Sequence, residues 1–237
     1  MTEKGTLYLI PTTLGDTAET ADVIPVKVNQ VINSIDEYIV ENEKSARHYL
    51  KKIGIIKPLQ EIILHPLNQH TRPQEISAYL NSINLGKNIG IISEAGCPGI
   101  ADPGAEVVKL AHERNIKVVP LVGPSSIFLA LMASGFNGQG FTFNGYLPKE
   151  RSERIKKIKE LERLAKEKNQ TQLFIEVPYR NTHMLDDILS TCENKTPLCI
   201  ACDITLPTEF IKTKSVFNWK KQIPDINKRP AIFLIYK

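Results

Sequence analysis

The sequence predicts an α/β protein in two domains, with a mainly parallel sheet in the amino-terminal part and a mixed sheet in the carboxyl-terminal part. Three observations carry this. Short apolar runs bounded by turn residues alternate with amphipathic stretches up to residue 122, the pattern of strand–helix–strand units with parallel strands. Beyond Gly123 the apolar runs crowd together, and 198–204 and 210–213 are separated by only a short turn, which suits antiparallel pairing. Charge divides at the same place: residues 1–120 hold 12 Lys and Arg against 14 Asp and Glu, and residues 121–237 hold 18 against 12. The boundary is expected near Val122 and Gly123, giving domains 1–122 and 123–237.

The elements follow in order. TLYLI at 6–10 is an apolar run stopped by Pro11, a buried strand leading into the turn-rich loop PTTLGD. A helix is expected over 26–35, with Pro25 near its first turn, where proline is tolerated. A short strand covers 38–40, a helix covers 45–53 up to Gly54, and a strand covers 59–64 before Pro66. The spacing of Ile76, Leu80 and Ile83 predicts a helix over 72–84. NIGIIS at 88–93 is a strand, 94–104 a loop with three glycines and two prolines, 105–115 a helix and 116–122 a strand. Then come an apolar helix at 125–134, a strand at 141–143 and a long helix at 151–168. The apolar stripe of that helix is Ile155, Ile158, Leu161, Leu164 and Ala165. Strands at 172–177, 198–204, 210–213 and 231–236 complete the reading.

Composition sets bounds. With 42% hydrophobic and 24% charged residues in 237, the chain has the make-up of a globular protein able to bury one full core or two small ones. No apolar run approaches the roughly 18 to 20 residues that span a bilayer, so no membrane partner is expected. The opening MTEKGTLYLIP lacks the charged segment, long apolar core and cleavage site of a secretory signal, so a cytoplasmic location is expected. Four cysteines, at 97, 192, 199 and 202, are too few for a disulfide framework and are read as thiols. Three familiar signatures are absent: the G-x-x-x-x-G-K-[ST] phosphate loop, a G-x-G-x-x-G after the first strand and a G-x-S-x-G elbow.

The stretch SEAGCPGIADPG at 93–104 carries the most information. It follows the carboxyl end of a strand and precedes a helix, where open α/β sheets bind ligands, and it is longer than a plain connection needs. Gly123-Pro124-Ser125-Ser126 opens an apolar helix, which suits either an anion or a simple serine cap. Cys199 and Cys202 lie within one apolar strand, whose alternation points them to opposite faces, so no zinc or redox pair is expected. His65 and His70 have no carboxylate cluster nearby in sequence, and no metal is expected there either. Arg47 and His48 on their short helix read as a solvated face by composition. Glu176 and Arg180, bracketing Pro178, are either an ion pair or ligand contacts. Segment 149–168, with nine basic and five acidic residues, is a solvated helix or a nucleic-acid contact.

With these residues in view, the chain resembles the tetrapyrrole methylase superfamily, nearest the branch that methylates a ribose 2′-hydroxyl of small-subunit ribosomal RNA. GTLYLIPTTLGD at 5–16, ISEAGCPGIADPG at 92–104, VVPLVGPSS at 118–126, GYLP at 145–148, FIEVPYR at 174–180 and ACDIT at 201–205 match successive family blocks in order and spacing. The departures are equally specific. EKSARH at 43–48 stands where the family has an acidic residue followed by Thr-Arg-His. Glu94 replaces an aspartate and Cys97 a threonine. Leu206-Pro207 follows Thr205 where a lysine is usual, and Arg229-Pro230 replaces Gly-Glu.

The resemblance implies a tetrapyrrole-methylase-like fold with a ligand cleft between its domains, a homodimer, and S-adenosylmethionine as methyl donor. Carried over by residue, donor contacts fall to Pro11, Ser93, Glu94, Ala95, Gly96, Cys97, Pro98, Asp102, Ser125, Ser126, Tyr146, Leu147, Ala201, Pro230 and Ala231. A ribose hydroxyl is a weak nucleophile, and Glu94, His48 and Glu176 are the candidates to take its proton. Arg47, His48 and Arg180, with the basic 149–168 helix, are the candidates for holding RNA. The expected partner is ribosomal RNA or the small ribosomal subunit. The competing acceptor is a porphyrin or corrin precursor, and a third reading is an RNA-binding relative without turnover.

Overall fold

The computed structural model describes residues 4–68 and 71–237. The chain divides into two compact units, Met1–Ser125 and Ser126–Lys237. His70 lies outside the described residues.

The first unit contains β1 (Thr6–Ile10), α1 (Thr20–Val23), α2 (Val26–Ile32), β2 (Glu37–Val40), α3 (Glu43–Lys52), β3 (Ile63–Pro66), α4 (Pro73–Tyr79), β4 (Ile89–Ile92), α5 (Gly104–Glu113) and β5 (Lys117–Pro120). Its five strands are ordered β3-β2-β4-β1-β5 and all pair in parallel. The strands read as nearly unbroken apolar runs because both faces of the sheet are covered. Alternation sends Ile10, Tyr38, Val40 and Ile92 into one core, and Leu7, Ile39, Ile89 and Ile91 into the other. Gly90 is required by packing: a Cβ there would sit 2.7 Å from the Tyr38 ring and 2.6 Å from Ile10.

The second unit contains α6 (Ser126–Ser134), β6 (Phe141–Tyr146), α7 (Arg151–Glu167), β7 (Thr171–Ile175), α8 (Asn181–Thr191), β8 (Pro197–Cys202), β9 (Phe210–Ser215), α9 (Val216–Lys221) and β10 (Ala231–Ile235). The sheet order is β6-β7-β10-β8-β9; β6 and β7 pair in parallel and the other contacts are antiparallel. Ile158, Leu161 and Ala165 of α7 and Met184, Leu185 and Ile188 of α8 pack with Trp219 and Phe233 in one core. Among the described residues no helix is long and apolar enough to cross a membrane.

Several expected elements differ. The helix expected over 26–35 stops at Ile32, where the Asn33 amide folds back to the Asn29 carbonyl at 3.0 Å. The strand expected over 59–64 opens as a 3-10 turn, Leu59–Glu61, behind Pro58, and pairing begins only at Ile63. The helix expected over 72–84 breaks at Leu80 into a second 3-10 turn, which ends at Gly86 with φ +83°. Helices α1, α8 and α9 were not anticipated. The signal for α8 is the spacing of Met184, Leu185, Ile188 and Leu189, all buried.

Candidate functional site

In the first unit β1 and β4 are neighbours, so the loops leaving their carboxyl ends meet. The Thr12 N–H donates to the Gly96 carbonyl at 2.9 Å, and the Thr12 hydroxyl donates to the Ser93 carbonyl at 3.4 Å. The β4 loop turns through left-handed backbone at Gly96 and Gly99, and at Ala101, which is not a glycine (φ +61°). Asp102 braces it from inside, its carboxylate accepting the Gly99 N–H at 2.9 Å and the Gly104 N–H at 2.7 Å. Burial pushes the Asp102 carboxyl above its ordinary range, outweighing those amides, which pull it down. The loop after β5 closes against β1: a Cβ on Gly123 would lie 2.2 Å from Pro11. Cys97 points its thiol at the Pro124 carbonyl at 3.4 Å, and burial raises its pKa, which favours the neutral thiol.

Helix α3 supplies another wall. Asn42 caps it by accepting the Lys44 and Ser45 N–H groups at 2.9 and 3.2 Å. The Ser45 hydroxyl donates to Glu94 Oε2 at 3.0 Å, and the Tyr49 hydroxyl donates to the Pro11 carbonyl at 2.7 Å. The Glu94 N–H donates to Glu41 Oε1 at 3.2 Å. Burial raises the Glu41 carboxyl, the Glu94 amide opposes that, and the charges of Asp102 and Glu94 add to the rise. These groups enclose a cavity of about 570 Å³ whose lining includes Thr12, Thr13, Ser45, His48, Tyr49, Ser93, Glu94 and Ala95. Its volume suits a small ligand, for which about 300–1,000 Å³ is usual.

Of the residues singled out from the sequence, His48, Ser93, Glu94 and Ala95 line this cavity, while Pro11, Gly96 and Asp102 build its frame. Pro98 is buried in the same loop, and Ser125 ends the unit. Arg47 does not line the cavity; its Nη1 donates to the Leu59 carbonyl at 2.5 Å, tying α3 to the following 3-10 turn. Thr12, Thr13, Ser45 and Tyr49 escaped the sequence reading because each is an ordinary polar or aromatic residue until the loops close. His65 is occupied structurally, with Nε2 2.7 Å from Glu37 Oε1 and its ring stacked on Tyr79.

In the second unit Ser126 opens α6, and Tyr146 stands exposed at the end of β6 while Leu147 is buried in the core. Ala201 and Ala231 sit on adjoining strands, Ala231 opposite Cys202 and Ala201 opposite Ile232. The Pro230 carbonyl accepts the Asp203 N–H at 2.9 Å. Glu176 and Arg180 form an ion pair, Nη2 to Oε1 at 2.6 Å, and the same oxygen accepts the Val177 N–H at 2.7 Å. Arg229, noted from sequence only as a departure, braces the turn after β8: Nε reaches Asp203 Oδ2 at 2.8 Å and Nη2 the Thr208 carbonyl at 2.6 Å. The basic residues of α7 are largely paired: Arg151 and Arg154 with Asp187, Lys156 with Glu153, Lys157 with Glu160, Arg163 with Glu167 and Lys166 with Glu193. Cys199 and Cys202 are both buried, and Cys202 belongs to the apolar core.

Comparison with known proteins gives consistent relatives. The chain is 32% identical over 201 residues to the ribosomal RNA small subunit methyltransferase I of Synechocystis sp., covering 85% of this chain and 67% of the relative. It is 29% identical over 238 residues to the protein of that name from Buchnera aphidicola subsp. Schizaphis graminum, covering 99% and 79%. The Escherichia coli O157:H7 protein is 29% identical over 235 residues, covering 98% and 78%. Among solved structures, the methyltransferase CobJ superposes with a TM-score of 0.65 at 16% identity, over 98% of this chain and 94% of that one. A uroporphyrin-III C-methyl transferase from Thermus thermophilus, complexed with S-adenyl homocysteine, superposes at 0.56 with 13% identity, over 98% of each chain. At such identities these structures establish a shared fold. No protein-family model matches the chain.

Proposed function

The chain belongs to the family of ribosomal RNA small subunit methyltransferase I, and from that premise we propose that it transfers a methyl group from S-adenosylmethionine to a ribose 2′-hydroxyl of small-subunit ribosomal RNA. The observation that carries the reading is the first-unit cavity, in which the β4 loop, Glu94 and His48 face one space. The residues fit such a donor. The loop bends at Gly96 and Gly99, and a Cβ on Gly99 would meet nothing within 4 Å. Donor contacts are proposed for Pro11, the 93–98 run, Asp102, Ser125 and Ser126, and for Tyr146, Leu147, Ala201, Pro230 and Ala231 of the second unit.

When bound, S-adenosylmethionine supplies an electrophilic methyl on a positively charged sulfur. The protein's part is chiefly alignment, holding the acceptor oxygen in line at near-contact distance. Carbonyls of the 93–98 loop orient the donor without a full negative charge, which would stabilise the ground state more than the transition state. Glu94, steadied by the Ser45 hydroxyl, takes the acceptor proton, with His48 as the second group in reach of the cavity. Glu176, buried and bonded to Arg180, acts by holding that guanidinium. The phosphate role proposed for Arg180 depends on this anchoring.

The proposed homodimer draws support from α6, where Phe128 and Met132, one turn apart, are 56% and 77% exposed. An acceptor in the small ribosomal subunit puts the proposed work in the cytoplasm. The test is transfer of tritium from methyl-labelled S-adenosylmethionine to small ribosomal subunits from a strain lacking the enzyme. Label recovered as a 2′-O-methylated nucleotide supports the reading; label on porphyrin or corrin precursors and none on RNA overturns it.

A further inference from the structure

The second unit carries a surplus of positive charge, yet α7, the most basic segment, pairs most of that charge with carboxylates of its own unit. A different part of this unit does not. From Phe210 to Gln222 the sequence holds Lys212, Lys214, Lys220 and Lys221 and no acidic residue, a local charge equal to the net +4 of the whole chain. β9 is an edge strand, and α9 follows it directly. Lys212 and Lys214 alternate onto the face of β9 that carries Phe210, which packs against Trp219 of α9. None of the four lysines has an ion-pair partner among the described residues. Lys214 donates to the neutral Gln222 amide at 3.0 Å and Lys220 to Asn194 at 2.8 Å. The nearby carboxylates are engaged elsewhere: Glu193 with Lys166, and Glu209 with the Thr205 N–H.

Within this group Phe217 is left 49% exposed, with the Lys221 ammonium 4.2 Å from its ring centroid. Lysines on an edge strand deter strand pairing, and lysines in a last helical turn complement the helix dipole. Those roles account for the lysines two by two. They do not account for a half-exposed aromatic ring beside Lys221 on the same edge. Unpaired cations on one edge together with an exposed ring match what single-stranded RNA offers, phosphates along a backbone and bases with free π faces.

We propose that the β9–α9 edge, with Lys212 and Lys214 on β9 and Phe217, Lys220 and Lys221 on α9, is a docking surface for single-stranded segments of the RNA acceptor. The lysines meet phosphates and Phe217 stacks on an unpaired base. This inference rests on the ribosomal RNA reading and extends it from the site of chemistry to a second, sequence-tolerant contact.

The experiment uses the full chain and two double variants, K212E/K214E and K220E/K221E, with F217A. Affinity for a short fluorescein-labelled single-stranded RNA is followed by anisotropy across a potassium chloride series. Each double variant is expected to bind about tenfold or more weakly, with the slope of log affinity against log salt reduced by roughly 1.4 at about 0.7 per lost phosphate contact. F217A is expected to lose roughly fivefold or more with the slope unchanged, the signature of a lost stacking contact. Unchanged affinity and slope in both double variants overturn the proposal, as does a slope change in F217A equal to theirs. Where a charge reversal fails to fold by circular dichroism, the neutral pairs K212Q/K214Q and K220Q/K221Q carry the same slope test. Tritium transfer to small subunits separates the two readings. Full transfer together with unaltered RNA binding in the variants sinks the docking surface alone. Loss of RNA binding in the variants, with no transfer by the wild type, sinks the methylation reading and leaves the surface standing.

Discussion

The two units use charge in opposite ways. Among the described residues the first has only two ion pairs, Lys57–Asp36 and His65–Glu37, and it leaves Glu94 on the wall of a cavity, its N–H held by Glu41. The second ties eight of its twelve carboxylates into ion pairs, among them Arg154–Asp187, Arg180–Glu176 and Arg229–Asp203. Net charge therefore misdirects when read alone. The second unit is basic because its unpaired lysines, Lys212, Lys214, Lys220 and Lys221 among them, outnumber its free carboxylates, not because of its ion-paired helix α7.

The sharpest way to break this comparison is at Glu94. Glu94→Gln is expected to lower kcat by roughly 10²–10⁴-fold, the usual contribution of a positioned base, while the heat of S-adenosylmethionine binding by calorimetry stays close to wild type. A full-rate variant would move the chemistry away from this carboxylate. In the second unit, Arg154→Ala leaves Asp187 buried without its main partner and is expected to cost about 3–5 kcal/mol in chemical denaturation. A loss below about 1 kcal/mol would show that this pair is not the brace inferred here.

Smaller effects sharpen the contrast. Asn42→Ala removes the cap of α3 and is expected to cost about 0.5–2 kcal/mol, read from the same denaturation curves. Glu41 tests the electrostatics beside Glu94, whose N–H it accepts. Its folded-state pKa is raised, so the folded protein holds that proton more tightly than the unfolded chain, and stability falls as pH rises from the ordinary carboxylate value through the raised one. Glu41→Gln is expected to increase Tm more at pH 7 than at pH 4, and an equal shift at both would deny the penalty. Arg163→Ala, which loses only an exposed pair with Glu167, is expected to change stability by less than about 0.5 kcal/mol.

Much of the architecture was legible before the structure. The run TLYLI ahead of Pro11 read as a buried strand, and the long 93–104 loop announced itself by glycines and prolines no plain connection needs. What escaped was decided by contacts distant in sequence. Ser45 lies 49 residues from Glu94 and Tyr49 lies 38 from Pro11, and nothing local marks either as part of a site. Arg47 and His48 read as one solvated helix face, yet neighbouring positions on a helix point in different directions: Arg47 donates to the Leu59 carbonyl while His48 lines the cavity. Glu176 and Arg180 illustrate the same limit: their spacing allowed an ion pair or ligand contacts, and the ion pair at 2.6 Å became visible only in the fold.

The order of the first sheet has a consequence for how the chain comes to be folded at all. β1 lies between β4 and β5, so its partners are Ile89–Ile92 and Lys117–Pro120, made some time after Thr6–Ile10 has left the ribosome. At roughly 5–20 residues per second, a strand with two unsatisfied edges waits several seconds for its first partner. Such non-local pairing slows folding and leaves an aggregation-prone segment exposed. During synthesis the apolar stretch that later supports the ligand loop is thus the part of the nascent chain most in need of shielding.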